Sequence, residues 1–412
     1  MHLQGPGAGP DKGHETVFDL GHLTYCTNIH AGELLDEVMN SLARYLPAIK
    51  TATSGAQPLG VGLRLGHAAA ASLREPGRLA ELKDFLAAGG YYVFTLNGFP
   101  YGAFHGRKVK EDVYAPDWSD PQRLAYTNHL ADILSELLPV GQIGSVSTVP
   151  CTYKSWASGR LAAIDDQLIR HVAHLVGITQ RTGQVISLAL EPEPDCFLET
   201  IAESVSYFNA HLFSRAAVAR LAGLAGLSRS AAQDALRRHI GVCYDVCHAA
   251  VEFEDASASV AQLRAAGILI SKVQLSSALR IGSFDAQSAR HLAAFAEPVY
   301  LHQVVQRAGG ELRRFVDLPQ ALAAADAQGG PAWGAEWRVH FHVPIVLEQM
   351  QHFGTTQSFL AEILALHRAA PISQHLEVET YTWDVLPPEY RSTDLSASIA
   401  RELNWVKARL LE

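Results

Sequence analysis

From about Asp19 onward, the chain alternates short apolar stretches rich in β-favouring residues with longer amphipathic stretches. This alternation predicts repeated βα units around a parallel sheet. The strand candidates are His22–Asn28, Gly60–Gly66, Tyr91–Asn97, Gly144–Val149, Val185–Glu191, Gly241–Val246, Ser271–Leu275 and Leu376–Tyr381.

The amphipathic stretches have the periodicity of helices. In the first of them Leu35, Val38 and Leu42 share one face with Tyr45. In the third, Asp120-Pro121 supplies an N-cap followed by a first-turn proline. Eight strands with intervening helices favour a closed (β/α)8 barrel of the TIM type, and 412 residues suit one such barrel with insertions. We therefore expect a single barrel domain over residues 19–412.

An open doubly wound sheet is the rival fold. Its dinucleotide-binding form needs a Gly-x-Gly-x-x-Gly turn after the first strand. The segment Cys26-Thr27-Asn28-Ile29-His30 at that place does not match this pattern.

Two insertions are predicted in the barrel. A helical stretch from about Glu199 to Arg238 is long enough for two or three helices. After the seventh strand, Val299–Val304 and Glu311–Val316 flank an Ala-Gly-Gly turn and predict a β-hairpin insertion over about 298–317. A further extended run, Glu336–Val343, is a ninth strand candidate, which leaves the assignment of the eighth strand open.

Composition narrows the class of protein. The chain is 48% apolar and 18% charged, which suits a globular α/β protein. Its net charge of −9 and lack of a long basic run argue against nucleic-acid binding. No window of about 18 apolar residues and no export signal are visible, so we expect a cytoplasmic protein without a membrane span. Residues 1–18 predict a loose N-terminal arm, and five cysteines without a Cys-x-x-Cys pair predict buried thiols.

Candidate chemistry lies at the carboxyl ends of the strands, where the active sites of such barrels are found. The fifth strand ends at Glu191, the sixth reaches Asp245 and His248, the seventh contains Gln274, and the last contains Glu379. Carboxylates on apolar strands are costly to bury alone, and a shared cation would hold them together. We therefore expect one or more divalent metals, with Mn²⁺, Zn²⁺, Co²⁺ and Mg²⁺ all compatible.

Two further glutamates are assigned to loops or ion pairs instead of the site. Glu193 follows Pro192, which should end the strand, and Glu377 lies one pleat deeper than Glu379. Because Glu377 and Glu379 share a strand face, an exchange of roles between them stays open.

Histidine and aromatic residues are candidates for substrate contacts. His105 lies in an aromatic, glycine-containing loop, and His340 and His342 share one face of the extra strand, where they could bind metal, line a pocket or hydrogen-bond in the core. Aromatic residues just beyond strand ends could bound a sugar-like ring or cap the core. These aromatic residues are Phe99, Tyr101, Tyr114, Trp118, Trp156, Tyr381 and Trp383.

Two motif sets carry a family resemblance. Leu190-Glu191-Pro192, Asp245-x-x-His248 and Glu379, in strand order, resemble the xylose isomerase-like TIM-barrel superfamily over about residues 20–385. The segments 23–30, 190–194 and 379–384 also resemble bacterial proteins labelled metabolite traffic protein EboE. That label states a role in moving or making a metabolite and names no reaction.

The superfamily resemblance implies roles for individual residues. Glu191, Asp245, Gln274 and Glu379 would bind the metal, with Glu191 and Glu379 also acting as the catalytic acid-base pair. Gln274 is a departure, because the superfamily usually has histidine there, and His340 or His342 could compensate. The residues expected to contact substrate are Asn28, Tyr101, His105, His248, His340, His342 and Trp383.

Three function classes follow. The first is a metal-dependent isomerase or epimerase that acts on a sugar, sugar phosphate or cyclitol through an enediolate, within metabolite biosynthesis or trafficking. The second is a metal-dependent phosphate or phosphodiester hydrolase, and the third is a non-catalytic metabolite-binding barrel. The expected partner is a small polyhydroxylated substrate, and the oligomeric state is open, a homo-oligomer included.

Overall fold

The computed structural model describes residues 1–7, 16–105, 108–327, 334–383, 386–387 and 394–412, with their strands in two sheets. The larger sheet holds β1 (His2–Gly7), β2 (Thr16–Tyr25), β3 (Leu59–Arg64), β4 (Tyr91–Asn97), β5 (Gly144–Thr148), β6 (Ile186–Leu190), β7 (Ile240–Asp245), β8 (Leu269–Leu275) and β14 (His375–Val378). The smaller sheet holds β9 (Leu279–Ile281), β10 (Val304–Ala308), β11 (Glu311–Phe315), β12 (Glu336–Val339) and β13 (Gly354–Thr355).

Helices connect the strands of both sheets. They are α1 (Leu35–Thr53), α2 (His67–Ser72), α3 (Arg78–Gly89), α4 (Pro121–Leu137), α5 (Leu161–Thr182), α6 (Ile201–Tyr207), α7 (Arg215–Ala225), α8 (Arg229–His239), α9 (Val246–Val251), α10 (Ala256–Ala266), α11 (Ala286–Leu292), α12 (Leu318–Ala327), α13 (Gln357–Ala369) and α14 (Leu395–Leu411). Short 3-10 turns cover Thr27–Ile29, Lys110–Tyr114, Lys154–Trp156 and Ala293–Phe295, and a π-helical turn covers Phe208–Leu212.

The larger sheet is a TIM barrel. Its strand order is β1-β2-β14-β8-β7-β6-β5-β4-β3, and every pair from β2 round to β3 is parallel. Cys26 bridges Gly62 to close the ring, and the Thr24 hydroxyl accepts a hydrogen bond from Gly62 N and donates one to the Gly60 carbonyl. Eight parallel strands with helical crossovers confirm the predicted fold.

The local signals that predicted these elements are present in the structure. All positions of β3, β5, β6 and β7 are buried, because both faces of a parallel barrel strand are covered. Helix α1 buries Leu35, Val38 and Leu42, and Asp120 caps α4 by accepting a hydrogen bond from Gln122 N. The predicted helical insertion between β6 and β7 contains α6, α7 and α8.

The eighth barrel strand is β14, and the run from Glu336 belongs to the smaller antiparallel sheet, whose order is β11-β10-β12-β9-β13. The predicted hairpin is part of that sheet, but its first arm is β10 and not Val299–Val304. Ala308 pairs with Glu311 across Gly309 and Gly310, both with positive φ, and this two-residue turn fixes the register.

The expectation of a loose arm over residues 1–18 is wrong for residues 2–7, which form β1, and for residues 16–18, which begin β2. Strand β1 pairs antiparallel with β2, with His2 opposite His22 and the buried Leu3 opposite Gly21. Strand β2 begins before the barrel does, so its early backbone groups need a partner, and β1 supplies it. Residues 8–15 lie outside the described part of the chain. Among the described residues, no helix has the length and apolarity needed to cross a bilayer.

Candidate active site

Three carboxylates from separate strand ends meet at the mouth of the barrel. Glu191 follows β6, Asp245 ends β7, and Glu379 follows β14. One carboxylate oxygen of each lies within 4.8 Å of the others, and all three side chains are buried. The structure thus brings together three of the four residues that the sequence predicted as metal ligands.

Burial and mutual repulsion act on these carboxylates. Burial, followed by the charges of Glu379 and Asp245, raises the pKa of Glu191 well above its usual value. Burial, followed by the charge of Asp245, does the same to the pKa of Glu379. Burial also acts to raise the pKa of Asp245, but His248, His342 and two hydrogen bonds outweigh it and the pKa falls. A bound cation would stabilise all three as anions.

His342 points a lone pair at this cluster. Its Nδ1 donates to the Glu379 carbonyl oxygen at 2.9 Å, which places the lone pair on Nε2, 3.9 Å from Asp245 Oδ2. Burial lowers the pKa of His342 to about 4, so the ring is neutral. His342 Nε2, Asp245 Oδ2 and Glu191 Oε2 are buried without a hydrogen-bond partner. A carbonyl that fixes the tautomer behind a free Nε2 is typical of a metal-binding histidine, so the donor set fits a divalent cation.

Gln274 occupies β8 in register with Asp245 and Glu377. Its side chain is fully buried, and both amide atoms lack hydrogen-bond partners. It does not line the cavity described below. Two imidazoles lie beside the carboxylates instead: His248 Nε2 and His342 Nε2 are each 3.9 Å from Asp245 Oδ2.

The structure also separates Glu377 from Glu379. Glu377 lies inside the barrel, where its Oε1 is 2.8 Å from Lys272 Nζ. Glu379 faces the mouth, and its Oε1 accepts hydrogen bonds from the side-chain amides of Asn28, at 2.7 Å, and Asn97, at 3.1 Å. Glu379 is thus the member of the pair that belongs to the site.

A second group of possible ligands adjoins the first. His248 Nδ1 donates to the Pro192 carbonyl at 2.9 Å, and His340 Nδ1 donates to Gln303 Oε1 at 2.6 Å. Their Nε2 atoms face each other at 3.2 Å, which would let one cation bind both. Glu193 completes a set of three ligand atoms within 4.8 Å. The sequence analysis left Glu193 out of the site, although it lies only two residues beyond Glu191 after the same strand.

A cavity of about 540 Å³, including its open mouth, lies over both groups. Of the residues expected to contact substrate, Asn28, His248, His340 and His342 line it. The other lining residues are Asn97, Phe99, Pro100, Phe104, Val109, Lys110, Val113, Tyr114, Glu191, Glu193, Tyr300, Leu301, Glu379 and Tyr381.

Three residues expected to contact substrate lie elsewhere. His105 is hydrogen-bonded through Nε2 to the Asn28 carbonyl, at 2.5 Å, and through Nδ1 to the Tyr300 hydroxyl, at 3.0 Å. Tyr101 stacks on His67 with ring centroids 4.6 Å apart, and Trp383 is buried outside the cavity lining. Asp384, the last residue of the Glu379 motif, lies outside the described residues.

The sequence analysis did not single out Asn97, Tyr300 and Leu301. Asn97 ends β4, so its position at a strand end was an available signal. Tyr300 and Leu301 precede β10 and are far in sequence from the other lining residues. The cysteines are all buried and unpaired, and Cys247 lies within 4.8 Å of His340 and His342.

No family model matches the chain, and no curated protein matches its sequence. Solved structures similar to it include the IOLI protein with a bound zinc atom, at 13% identity and a TM-score of 0.42, covering 95% of this chain and 98% of that one. The probable 3-DHS dehydratase AsbF from Bacillus anthracis is 12% identical with a TM-score of 0.41, over 93% and 97% of the chains. A xylose isomerase domain protein from Alicyclobacillus acidocaldarius is 13% identical with a TM-score of 0.40, over 95% and 96%. These TM-scores lie below 0.5, so the barrel assignment depends on the strand order and register of this chain.

Proposed function

We propose that this protein is an enzyme, a metal-dependent isomerase or epimerase that acts on a hydroxylated carbonyl compound of the sugar or cyclitol class. The observation that carries the proposal is the cluster of Glu191, Asp245 and Glu379, with the free Nε2 of His342 lying 3.9 Å from Asp245 Oδ2. Three buried carboxylates and a neutral imidazole suit a divalent cation such as Mn²⁺, Zn²⁺, Co²⁺ or Mg²⁺.

Glu191, Asp245, Glu379 and His342 would hold the cation. When bound, it would polarise a substrate carbonyl and so acidify the neighbouring C–H bond. Sugar phosphates are less favoured as substrates, because Lys110, the cation among the described lining residues, is ion-paired with Asp317 at 2.6 Å.

The two glutamates are suited to proton transfer. Glu191 Oε2 has no hydrogen-bond partner and borders the cavity, so it is available to take a proton from the substrate carbon. Asn28 and Asn97 fix Oε1 of Glu379, which orients that carboxylate toward the same cavity. If the carboxylates act on opposite faces, proton removal and return through an enediolate gives epimerisation; transfer to the adjacent carbon gives aldose–ketose isomerisation.

A phosphate or phosphodiester hydrolase is the second candidate. The group of Glu193, His248 and His340 favours it, because several adjacent cations would clamp both oxygens of a phosphoryl transfer. A binding barrel without turnover would not need the carboxylates of both Glu191 and Glu379 beside one cavity. The resemblance to EboE proteins, a role in carbohydrate metabolism, a cytoplasmic location and a homo-oligomeric state stay predictions.

Metal content, measured by elemental mass spectrometry on protein purified without a metal-affinity step, is the first test. We expect about one metal per chain in the wild type and strong loss in Glu191→Gln, Glu379→Gln and His342→Ala. Gln274→Ala should retain metal. His174→Ala is a matched control, because His174 lies on a helix surface beside Asp132.

Reaction class is tested by deuterium incorporation from D2O into sugars and cyclitols, in parallel with hydrolysis of a model phosphodiester. Carbon-bound deuterium that Glu191→Gln abolishes would support the proposal. Phosphodiester hydrolysis without exchange would favour the second candidate. A wild type that binds neither Mn²⁺ nor Zn²⁺ would overturn both and leave a metabolite-binding barrel.

A further inference from the structure

The cavity above the carboxylates has two unlike sides. Its floor, formed by strand ends, carries the carboxylates, the histidines and the amides of Asn28 and Asn97. Its loop side comes from the connection after β4 and the segment before β10, which are joined where Val109 N and Lys110 N both donate to the Val299 carbonyl. The apolar side chains on the loop side are Phe99, Pro100, Phe104, Val109, Val113 and Leu301.

The polar side chains of these two segments that line the cavity, Lys110, Tyr114 and Tyr300, already have partners. The Lys110 ammonium binds Asp317 at 2.6 Å, and the Tyr114 hydroxyl donates to Glu193 at 2.8 Å. The Tyr300 hydroxyl is hydrogen-bonded to His105 Nδ1 at 3.0 Å. Tyr381, which follows β14, adds one further hydroxyl to the cavity lining. A substrate hydroxyl placed against the loop side would lose its hydrogen bonds to water and form few with the protein. This loss lowers affinity by about tenfold or more.

The types of apolar residue on the loop side also indicate whether a sugar ring or an alkyl or aryl group would bind there. A sugar ring stacks its C–H face on a flat aromatic ring, and Phe99 or Tyr114 could serve. Val109, Val113 and Leu301 are branched aliphatic residues, which offer only dispersion and dehydration. They suit an alkyl or aryl group better than a ring that carries hydroxyls on every carbon.

We propose that the substrate carries an apolar alkyl or aryl substituent beside its hydroxycarbonyl head. The head lies against the carboxylate floor, and the substituent lies between the β4 connection and Leu301. This inference rests on the proposed function, because it takes the metal-binding floor as the site for the head.

Hydroxamates, which chelate divalent metals through two oxygens, test this directly. Acetohydroxamate, butanohydroxamate and hexanohydroxamate are titrated calorimetrically into the Mn²⁺-loaded full chain, together with gluconohydroxamate, a six-carbon analogue bearing hydroxyls. We expect affinity to rise up to about fourfold per added methylene. Hexanohydroxamate should bind more tightly than gluconohydroxamate.

Val113→Asn and Leu301→Asn should flatten the chain-length dependence without changing acetohydroxamate affinity, and their melting curves report folding. Leu312→Asn is the matched control, because Leu312 is an exposed leucine of β11. Equal affinities along the series, or tighter binding of gluconohydroxamate, would overturn the inference alone. Failure of acetohydroxamate to bind would overturn the metal site and the inference together.

Discussion

The ammonium of Lys272 lies 2.8 Å from Glu377 Oε1 inside the barrel, and neither side chain is exposed to solvent. The pair lies one pleat below Glu379 and beside Ser147, whose hydroxyl is 3.4 Å from the ammonium. Desolvation of two charges is offset only while both are present. This pairing explains why a glutamate so close in sequence to Glu379 has a structural position and not a place in the cavity.

Removing one partner of that pair should destabilise the fold. We expect Lys272→Met to lower the free energy of unfolding by about 3–5 kcal/mol, because Glu377 is left as an uncompensated buried charge. The double variant Lys272→Met/Glu377→Leu should recover most of the loss. Urea denaturation measures the free energy of unfolding of the single and the double variant. Lys83→Met, which breaks an exposed pair with Glu136, should cost no more than about 1 kcal/mol. Equal stability of the single and double variants would contradict this account.

Asn28 should act on turnover more than on metal content. Asn28→Ala removes a 2.7 Å hydrogen bond to the carboxylate of Glu379, a charged acceptor. Such a bond contributes about 1.5–3 kcal/mol, so we expect deuterium exchange into substrate to slow by about tenfold to a hundredfold. Elemental analysis should still find metal. Asn40→Ala, a change outside the cavity lining, is the control, and an unchanged exchange rate in Asn28→Ala would refute the orienting role.

Glu402 should make stability depend on pH. It accepts hydrogen bonds from Ile345 N and the Thr380 hydroxyl, yet burial raises its pKa from 4.5 to about 7. Because the folded pKa exceeds the unfolded one, its contribution is full below pH 4.5 and is lost as pH rises to 7.

Glu402→Gln keeps the acceptor and removes the titration. The unfolding free energy of the variant relative to wild type should therefore rise by about 2–3 kcal/mol between pH 5 and pH 8. Chemical denaturation at the two pH values measures this. A difference that stays constant with pH would contradict the prediction.

Gly62 is required for barrel closure. A Cβ there would lie 1.8 Å from Glu377 Oε2 and 2.7 Å from the Tyr25 carbonyl oxygen. We expect Gly62→Ala to cost about 3 kcal/mol, measured by urea denaturation. Gly223→Ala is a matched control, because Gly223 is an exposed helical glycine with open space around it and should gain about 0.5 kcal/mol. Similar stability of the two variants would rule out the steric role of Gly62.

Much of the barrel was predictable because its signals are local. An apolar run bounded by turns produces a strand such as β6, and Asp120-Pro121 starts α4 wherever the helix lies. The placement of Glu191, Asp245 and Glu379 followed from one rule, that parallel strands present their carboxyl ends at the same rim. The same rule would have found Asn97.

The smaller sheet and the cavity walls were not predictable in this way. The run from Glu336 is extended in either sheet, and only its pairing with β9 and β10 decides which sheet it joins. Likewise Leu301 and Val113 are ordinary apolar residues until distant loops fold against each other.

The sequence by itself determined the order of strands and helices, the barrel class and the three carboxylates at its mouth, because periodicity, capping and strand direction are properties of short segments. Only the tertiary structure decided that Glu379 and not Glu377 faces the cavity, that His342 provides the free imidazole, and that apolar loops cover one side. Those features depend on contacts between residues far apart in the chain. The periodicity of a short segment does not indicate which distant residues it will contact.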